Sequence, residues 1–347
     1  MSFPIGRRFL ASDQPVFVIA EACDNHLGNM AAAREMCLQA KLAGADAIKF
    51  QHHLPDEEML PDVPTSTNFN IPLYDFLKRY ALSLDQHREL IQYCQEIKIQ
   101  YMCTPFSYKA AEEMVGIGLE VIKIGSGEMT DIPSLVRMAR TFAKPMIVST
   151  GMCTFEEIDR TYDALVKTEI PLALMNCVSE YPPVYEDVNL GVIGEMRKRY
   201  PAAVIGHSDH TPDLYTSFAA VTLGAKIIEK HVILDKRQPG PDQSVSIDFR
   251  DLAQLVDGIR KIEPALGTEK KVHAREQQIR EWAFRSIVTM RPIKKGELIR
   301  EEMIWSKRPG TGIPSRFRDD IIGRRAVRDI ESNRLLVWDD VDGVRLS

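Results

Sequence analysis

Val121-Ile122-Lys123-Ile124-Gly125-Ser126-Gly127-Glu128, then an amphipathic run over 132–142, then Pro145-Met146-Ile147-Val148-Ser149-Thr150-Gly151: this stretch decides how the chain is read. Two short β-branched runs bracket a helical one, and each run ends in hydroxyls and glycine. That order is a βαβ unit, in which a helix carries the chain back to a parallel strand. The same alternation continues on both sides. Strands are expected at 16–21, 47–51, 101–104, 121–125, 145–149, 172–177, 203–208 and 227–231. Helices are expected at 30–43, 84–97, 108–115, 132–142, 154–166, 213–223 and 249–263, and Thr154 followed by Glu157 has capping-box spacing. Eight strands with intervening helices predict a closed (β/α)8 TIM barrel rather than an open sheet.

A barrel of this kind takes about 250 residues, and the chain has 347. The surplus lies at the C-terminal end. Residues 1–265 read as the barrel, 266–283 as a charged, partly helical linker, and 284–347 as a small module. That module has short strands expected at 285–290 and 335–338, and turns at Lys295-Gly296 and Pro309-Gly310. It carries 14 Lys and Arg against 10 Asp and Glu, which leaves −9 for the preceding 283 residues out of a total of −5.

No basic excess suggests nucleic acid, and no apolar run reaches the roughly 18 residues of a membrane span. The first 14 residues lack the apolar core of a signal peptide. Six cysteines without CxxC spacing read as free thiols in a reducing, cytoplasmic compartment.

Chemistry in such a barrel sits at the C-terminal ends of the strands, and every expected strand ends in polar residues. These are Glu21, Lys49 with Gln51, Thr104, Lys123 with Ser126 and Glu128, Ser149, Ser179 with Tyr181, Ser208 with His210, and Glu229 with His231. His210 and His231, at neighbouring strand ends, suit one catalytic divalent ion; each alone reads equally as a hydrogen-bonded core histidine. His207 falls on the opposite face and reads as structural. Lys49 and Lys123 end apolar strands, where a cation needs an anion. Three readings stay open: a phosphate or carboxylate site, structural salt bridges to Glu21 or Glu128, and a Schiff-base nucleophile at Lys123. Asp242, in Pro239-Gly240-Pro241-Asp242, is a candidate for polyol hydroxyls or a turn residue.

Taken in order, these motifs closely resemble the sialic acid synthase family of nonulosonate synthases. They run Glu21-x-x-x-Asn25-His26-x-Gly28, Lys49-Phe50-Gln51, Thr104-Pro105-Phe106-Ser107, Lys123 to Glu128, Ser149-Thr150-Gly151-Met152, Ser208-Asp209-His210-Thr211, Glu229-Lys230-His231 and Pro239 to Asp242. Arg285-Ser286-Ile287, Lys294-Lys295-Gly296-Glu297 and Lys307-Arg308-Pro309-Gly310 are similar to the antifreeze-like (SAF, β-clip) domain of those enzymes. The resemblance implies condensation of phosphoenolpyruvate with an N-acylated mannosamine-type sugar, using Mn²⁺ or Mg²⁺ on His210 and His231. It implies phosphoenolpyruvate binding by Lys49, Thr104, Lys123, Ser126, Ser149, Ser179 and Ser208. Glu21 and Glu128 join the two histidines as catalytic residues, and Gln51, Asn68, Tyr181, Asp242 and Arg308 meet the sugar. Arg308 would do so from the partner in a domain-swapped homodimer. Cys23-Asp24 and Asn176 depart from the family's pattern, which leaves the acceptor open to legionaminic-type sugars. A Schiff-base aldolase and a non-catalytic sugar-binding protein are the competing readings.

Overall fold

The computed structural model describes residues 3–343 except 7, 12, 65–68 and 70. The chain divides into two compact units, Met1–Gly267 and Thr268–Ser347.

In the first unit eight parallel strands close into a barrel. They are β1 Phe17–Glu21, β2 Ala47–His52, β3 Gln100–Pro105, β4 Ile122–Ile124, β5 Met146–Ser149, β6 Leu172–Cys177, β7 Ala203–Asp209 and β8 Ile227–His231. Closure comes from β8 on β1, with Ile227 opposite Phe17 and His231 opposite Glu21. The strand-following helices are α1 Met30–Leu42, α2 Leu84–Ile97, α3 Tyr108–Gly116, α4 Ile132–Phe142, α5 Phe155–Val166, α6 Gly191–Arg199, α7 Tyr215–Thr222 and α8 Phe249–Ile262. Asn29, Ser83, Ser107, Asp131, Thr154 and Asp248 cap their helices with side-chain oxygens. Thr154 and Glu157 form the expected capping box.

Alternation along each strand sorts the side chains. Val18, Ala20, Ile48, Phe50, Ile122, Ile124, Met146, Val148 and Ile228 face outward and pack with the helices in the larger core. Phe17, Ile19, Ala47, Met102, Ile147, Ala173, Met175, Val204 and Ile227 face inward and form a second, smaller core. An N-terminal hairpin, Phe3–Ile5 paired with Arg8–Leu10, adds Phe3, Ile5 and Leu10 to that inner core. Gly206 belongs to the same layer: any side chain there would run into Met175 and Ile227. Continuing each inward series toward the C-terminal end turns apolar to polar. Ile19 is followed by Glu21, Ala47 by Lys49, Ile147 by Ser149, and Ile227 by Glu229. The inner core therefore serves as the foundation beneath a ring of polar side chains.

The N-terminal hairpin and the helices at Leu73–Tyr80 and Gly191–Arg199 escaped the sequence pattern in this unit, as did the single turns Pro55–Glu58 and Tyr185–Val188. All are short, with too few residues to show a period.

The second unit opens with α9 Ala274–Ala283, so the expected linker is largely helical. Its strands β9 Ser286–Thr289 and β10 Ile304–Lys307 are antiparallel. The strand expected at 335–338 is corrected: only Leu335 bridges Val288, and Trp338–Asp340 is a 3₁₀ turn. Leu336 donates to the Ile287 carbonyl and accepts from the Ile313 amide, so no continuous ladder with one strand develops. Ile287, Ile293, Ile299, Met303, Ile304, Ile313, Ile321 and Leu336 fill this unit's own core.

Candidate active site

The polar ring opens into a cavity of about 710 Å³ at the C-terminal ends of the strands. Strands supply Glu21, Lys49, Gln51, Thr104, Lys123, Ser149, Cys177, Ser208, Glu229 and His231. The loops that follow supply Cys23, Asp24, Ser126, Glu128, Ser179, Tyr181, His210 and Asp242.

Two buried lysines lie at the floor. Lys49 Nζ sits 2.6 Å from Glu21 and 3.7 Å from Glu229, and donates to Thr104 Oγ1 at 2.9 Å. Lys123 Nζ donates to Ser149 Oγ at 2.7 Å and lies 3.7 Å from the same Glu229. Ser208 Oγ donates to Glu229 Oε1 at 3.0 Å. Burial works against charge on Lys49, but Glu21 and Glu229 outweigh it and raise its pKa. Burial lowers Lys123, and its shared carboxylate does not fully offset that. Burial likewise opposes the charge of Glu229, yet Lys123 and Lys49 hold it below the usual range. Burial pushes Glu21 up to about 7 against the pull of Lys49. Lys49 thus has a carboxylate of its own, whereas Lys123 shares one and can accept an entering anion.

The expected salt bridge with Glu21 is present. The lysines' other partner is Glu229, not Glu128. Glu128 is pushed up by burial, and its Oε2 is buried without a hydrogen-bond partner. Around the lysines the Gly151 amide donates to Ser126 Oγ at 3.1 Å. A side chain at Gly151 would collide with the hydroxyls of Ser126 and Ser179, so the glycine lets them converge.

Metal-ligand chemistry lies beside the lysines, with His231 opposite Glu21 in the β8–β1 register. His210 Nδ1 donates to the Val178 carbonyl at 2.7 Å. Burial opposes its charge, but Cys177 and that carbonyl outweigh it and raise its pKa to about 9, so Nε2 becomes a ligand when an entering cation displaces its proton. The Tyr181 ring stacks on His210 at 4.3 Å, and the His210 and His231 rings meet edge to face at 5.1 Å. Burial, then His210, holds His231 well below the usual range, and so neutral. Its Nδ1 is buried without a partner. Donor atoms of Cys23, His231 and Asp242, all buried, lie within 4.8 Å of one another. Donors on one first-row ion at about 2.0–2.3 Å stand roughly 3–4.5 Å apart. An orphaned imidazole nitrogen among such donors fits a divalent ion.

A third group flanks the mouth. His53 Nδ1 pairs with Glu58 at 3.0 Å, its Nε2 lies 2.9 Å from Gln51 Oε1, and Phe106 stacks on the ring. Asp24 Oδ2 is 3.7 Å from His53 Nε2, and burial pushes Asp24 up to about 6. Gln51 Nε2 donates onward to Glu21.

The structure brings Glu21, Lys49, Gln51, Thr104, Lys123, Ser126, Glu128, Ser149, Ser179, Tyr181, Ser208, His210, His231 and Asp242 into this one cavity. Asn68 lies outside the described residues. Arg308 belongs to the second unit, where its guanidinium donates to the Ala283 carbonyl and covers the Trp282 ring. His207 faces outward and bonds the Asn176 carbonyl. His26 is buried against Phe50. Sequence reasoning gave no role to Glu229, Cys23, Asp24, His53, Glu58 or Cys177. Glu229 was recoverable from its place two residues before His231 on an inward face; the loop residues carried no such signal.

Among the described residues no helix is long and apolar enough to cross a membrane, and all six cysteines are free thiols. Residues 36–271 match the model of the NeuB family, and 284–342 match that of the SAF domain. The chain is 34% identical to the N,N'-diacetyllegionaminic acid synthase of Legionella pneumophila, covering 95% of this chain and 96% of that one. It is 32% identical to the N-acetylneuraminate-9-phosphate synthase of Homo sapiens, covering 96% and 95%. Among solved structures, the N-acetylneuraminic acid synthetase of Leptospira borgpetersenii, in complex with citrate, superposes with a TM-score of 0.73. It is 31% identical, over 80% of this chain and 95% of that one.

Proposed function

The chain belongs to the NeuB family, and from that premise we propose that it is a nonulosonate synthase joining phosphoenolpyruvate to an N-acylated mannosamine-type sugar. The observation that carries this reading is the meeting, in one cavity, of two buried lysines, the second of which shares its carboxylate with the first, and a set of metal-ligand donors.

In the proposed reaction the enol C3 bonds to the aldehyde carbon of the open-chain sugar. Water adds to the cation left at C2, the C2–O bond to phosphorus breaks, and inorganic phosphate leaves a nine-carbon 2-keto acid. Lys49 and Lys123, with the hydroxyls of Thr104, Ser126, Ser149, Ser179 and Ser208, would hold the phosphate and carboxylate of phosphoenolpyruvate and neutralise the departing phosphate. Glu21, whose carboxyl burial pushes up to about 7, and Glu128 would orient the water and hold its proton. Tyr181, Gln51 and Asp242 would meet the sugar hydroxyls. His210 and His231 would hold a divalent ion, Mn²⁺ or Mg²⁺, which supplies Lewis acidity toward the aldehyde oxygen. The resemblance, rather than any contact described above, carries the domain-swapped homodimer with Arg308 acting on the partner's acceptor. Mixing His210→Ala with Arg308→Ala chains restores activity under that arrangement, and mixed dimers without activity exclude it.

The deciding experiment incubates the enzyme with phosphoenolpyruvate and a panel of acylated mannosamines, legionaminic-type precursors and 6-phosphates. Phosphate release that requires the sugar, with a nine-carbon keto acid by mass, is expected. EDTA should abolish turnover and Mn²⁺ restore it; full activity in metal-free enzyme removes the metal from the reading. The lowered pKa of Lys123 favours one second reading, a Schiff-base aldolase. Borohydride trapping with pyruvate in the absence of metal would select it.

A further inference from the structure

Cys23 lies in the loop after β1, in a backbone conformation that suits glycine better than any residue with a side chain: its φ is +47°. The side chain it carries there is 5% exposed and directed at β8 and the loop beyond it. Its thiol donates to Asp242 Oδ2 at 2.7 Å, although 219 residues separate the two in sequence. The third member, His231, is 5% exposed, and its Nδ1 has no hydrogen-bond partner. Sulfur, imidazole nitrogen and carboxylate oxygen thus come from three separate segments to within 4.8 Å of one another. His210 stands beside them, its ring 5.1 Å from that of His231 and its Nδ1 committed to the Val178 carbonyl.

We propose that Cys23 is a thiolate ligand, joining His231, His210 and one carboxylate oxygen of Asp242 in one divalent-cation site that selects transition ions over Mg²⁺, with the other Asp242 oxygen left for the sugar. The inference rests on the metal part of the proposed function and deepens it by naming the sulfur. As the ion binds, the S–H bond breaks, its proton passes to the buffer, and a sulfur–metal bond forms while Asp242 exchanges the thiol for the ion. A thiolate beside imidazole and carboxylate favours Fe²⁺, Co²⁺ or Zn²⁺, because Mg²⁺ prefers an all-oxygen, near-octahedral shell. The second thiol nearby, Cys177, has its sulfur 4.0 Å from His210 Nδ1, the nitrogen already bonded to Val178. It therefore serves as the control.

The test is a Co²⁺ titration of the metal-free full-length chain, without substrates, followed by absorption spectroscopy. Wild type should show a sulfur-to-cobalt charge-transfer band, and a large excess of Mg²⁺ should leave it in place. Cys23→Gly suits the local backbone, so the fold persists; the band should vanish and Co²⁺ affinity fall by about 100-fold, at least what losing a supporting partner costs. Cys177→Ala should keep the band. Cobalt bound without the band, or a band that survives in Cys23→Gly, overturns the thiolate ligand and leaves the condensation reading intact. No cobalt binding at all overturns both this site and the metal step, while sugar-dependent phosphate release still judges the reaction itself.

Discussion

Strands β7 and β8 put charged groups on both faces of the barrel wall, and the two faces differ in how well those groups are paired. On the outer face Asp209 and Lys230 lie 3.2 Å apart. Asp209 also accepts from Thr211, Thr216 and Ser217, while Lys230 donates to the Thr211 carbonyl. On the inner face, one residue earlier on each strand, Ser208 bonds Glu229. Glu229 stands 3.7 Å from both Lys49 and Lys123, with its Oε2 lacking any hydrogen bond. The outer cluster is closed and holds the wall. The inner one uses similar residue types, but there Lys123 has only a carboxylate 3.7 Å away that Lys49 shares. Buried charge by itself therefore does not mark a site; incomplete pairing does.

The comparison can be broken in order of expected effect. Lys230→Met strands a buried Asp209 and should cost about 3–5 kcal/mol in urea unfolding. The equivalent Lys123→Met should cost no more than about 1 kcal/mol, because Glu229 keeps Lys49 and Ser208. Equal stability losses would erase the distinction. Lys123→Met should instead lower kcat/KM for phosphoenolpyruvate by about 100- to 1,000-fold, and a change below 10-fold would return Lys123 to the scaffold.

The two faces should also respond oppositely to pH. Burial opposes charge on Asp209, but Lys230 and its other partners outweigh it and hold its folded pKa below the ordinary 3.8. Its contribution is therefore present above that value and lost as pH falls. Glu21 is raised from 4.5 to about 7. Its contribution is present below 4.5 and lost as pH rises toward 7. Unfolding midpoints across this range should lose the upper slope in Glu21→Gln and the acid slope in Asp209→Asn. A slope unaffected by its variant refutes that assignment. Thr154→Ala, at a cap remote from both clusters, should cost only about 1 kcal/mol and leave turnover unchanged.

The barrel was legible because short β-branched runs recur eight times with seven helical runs between and after them, and repetition corrects errors at single elements. The inward ring of Glu21, Lys49, Lys123 and Ser208 was legible for the same reason, since strand position fixes facing. Loop residues carry no period. Cys23 and Asp24 were visible only as departures from a pattern, and His53 and Glu58 not at all, because tertiary contacts alone make them neighbours. The strand expected at 335–338 failed because a β-branched, apolar sequence specifies an extended chain without specifying a partner.

The closure of β8 on β1 has a consequence for how the protein is made. Phe17–Glu21 acquires its second neighbour only when Ile227–His231 has been synthesised. At the roughly 5–20 residues per second of translation, that interval is about 10–40 s. Through it the edge of β1, and the apolar hairpin that must pack under Ile227, wait without their final partners. The unit completes its ring after most of its chain has left the ribosome, and until then β1 is paired on one side only.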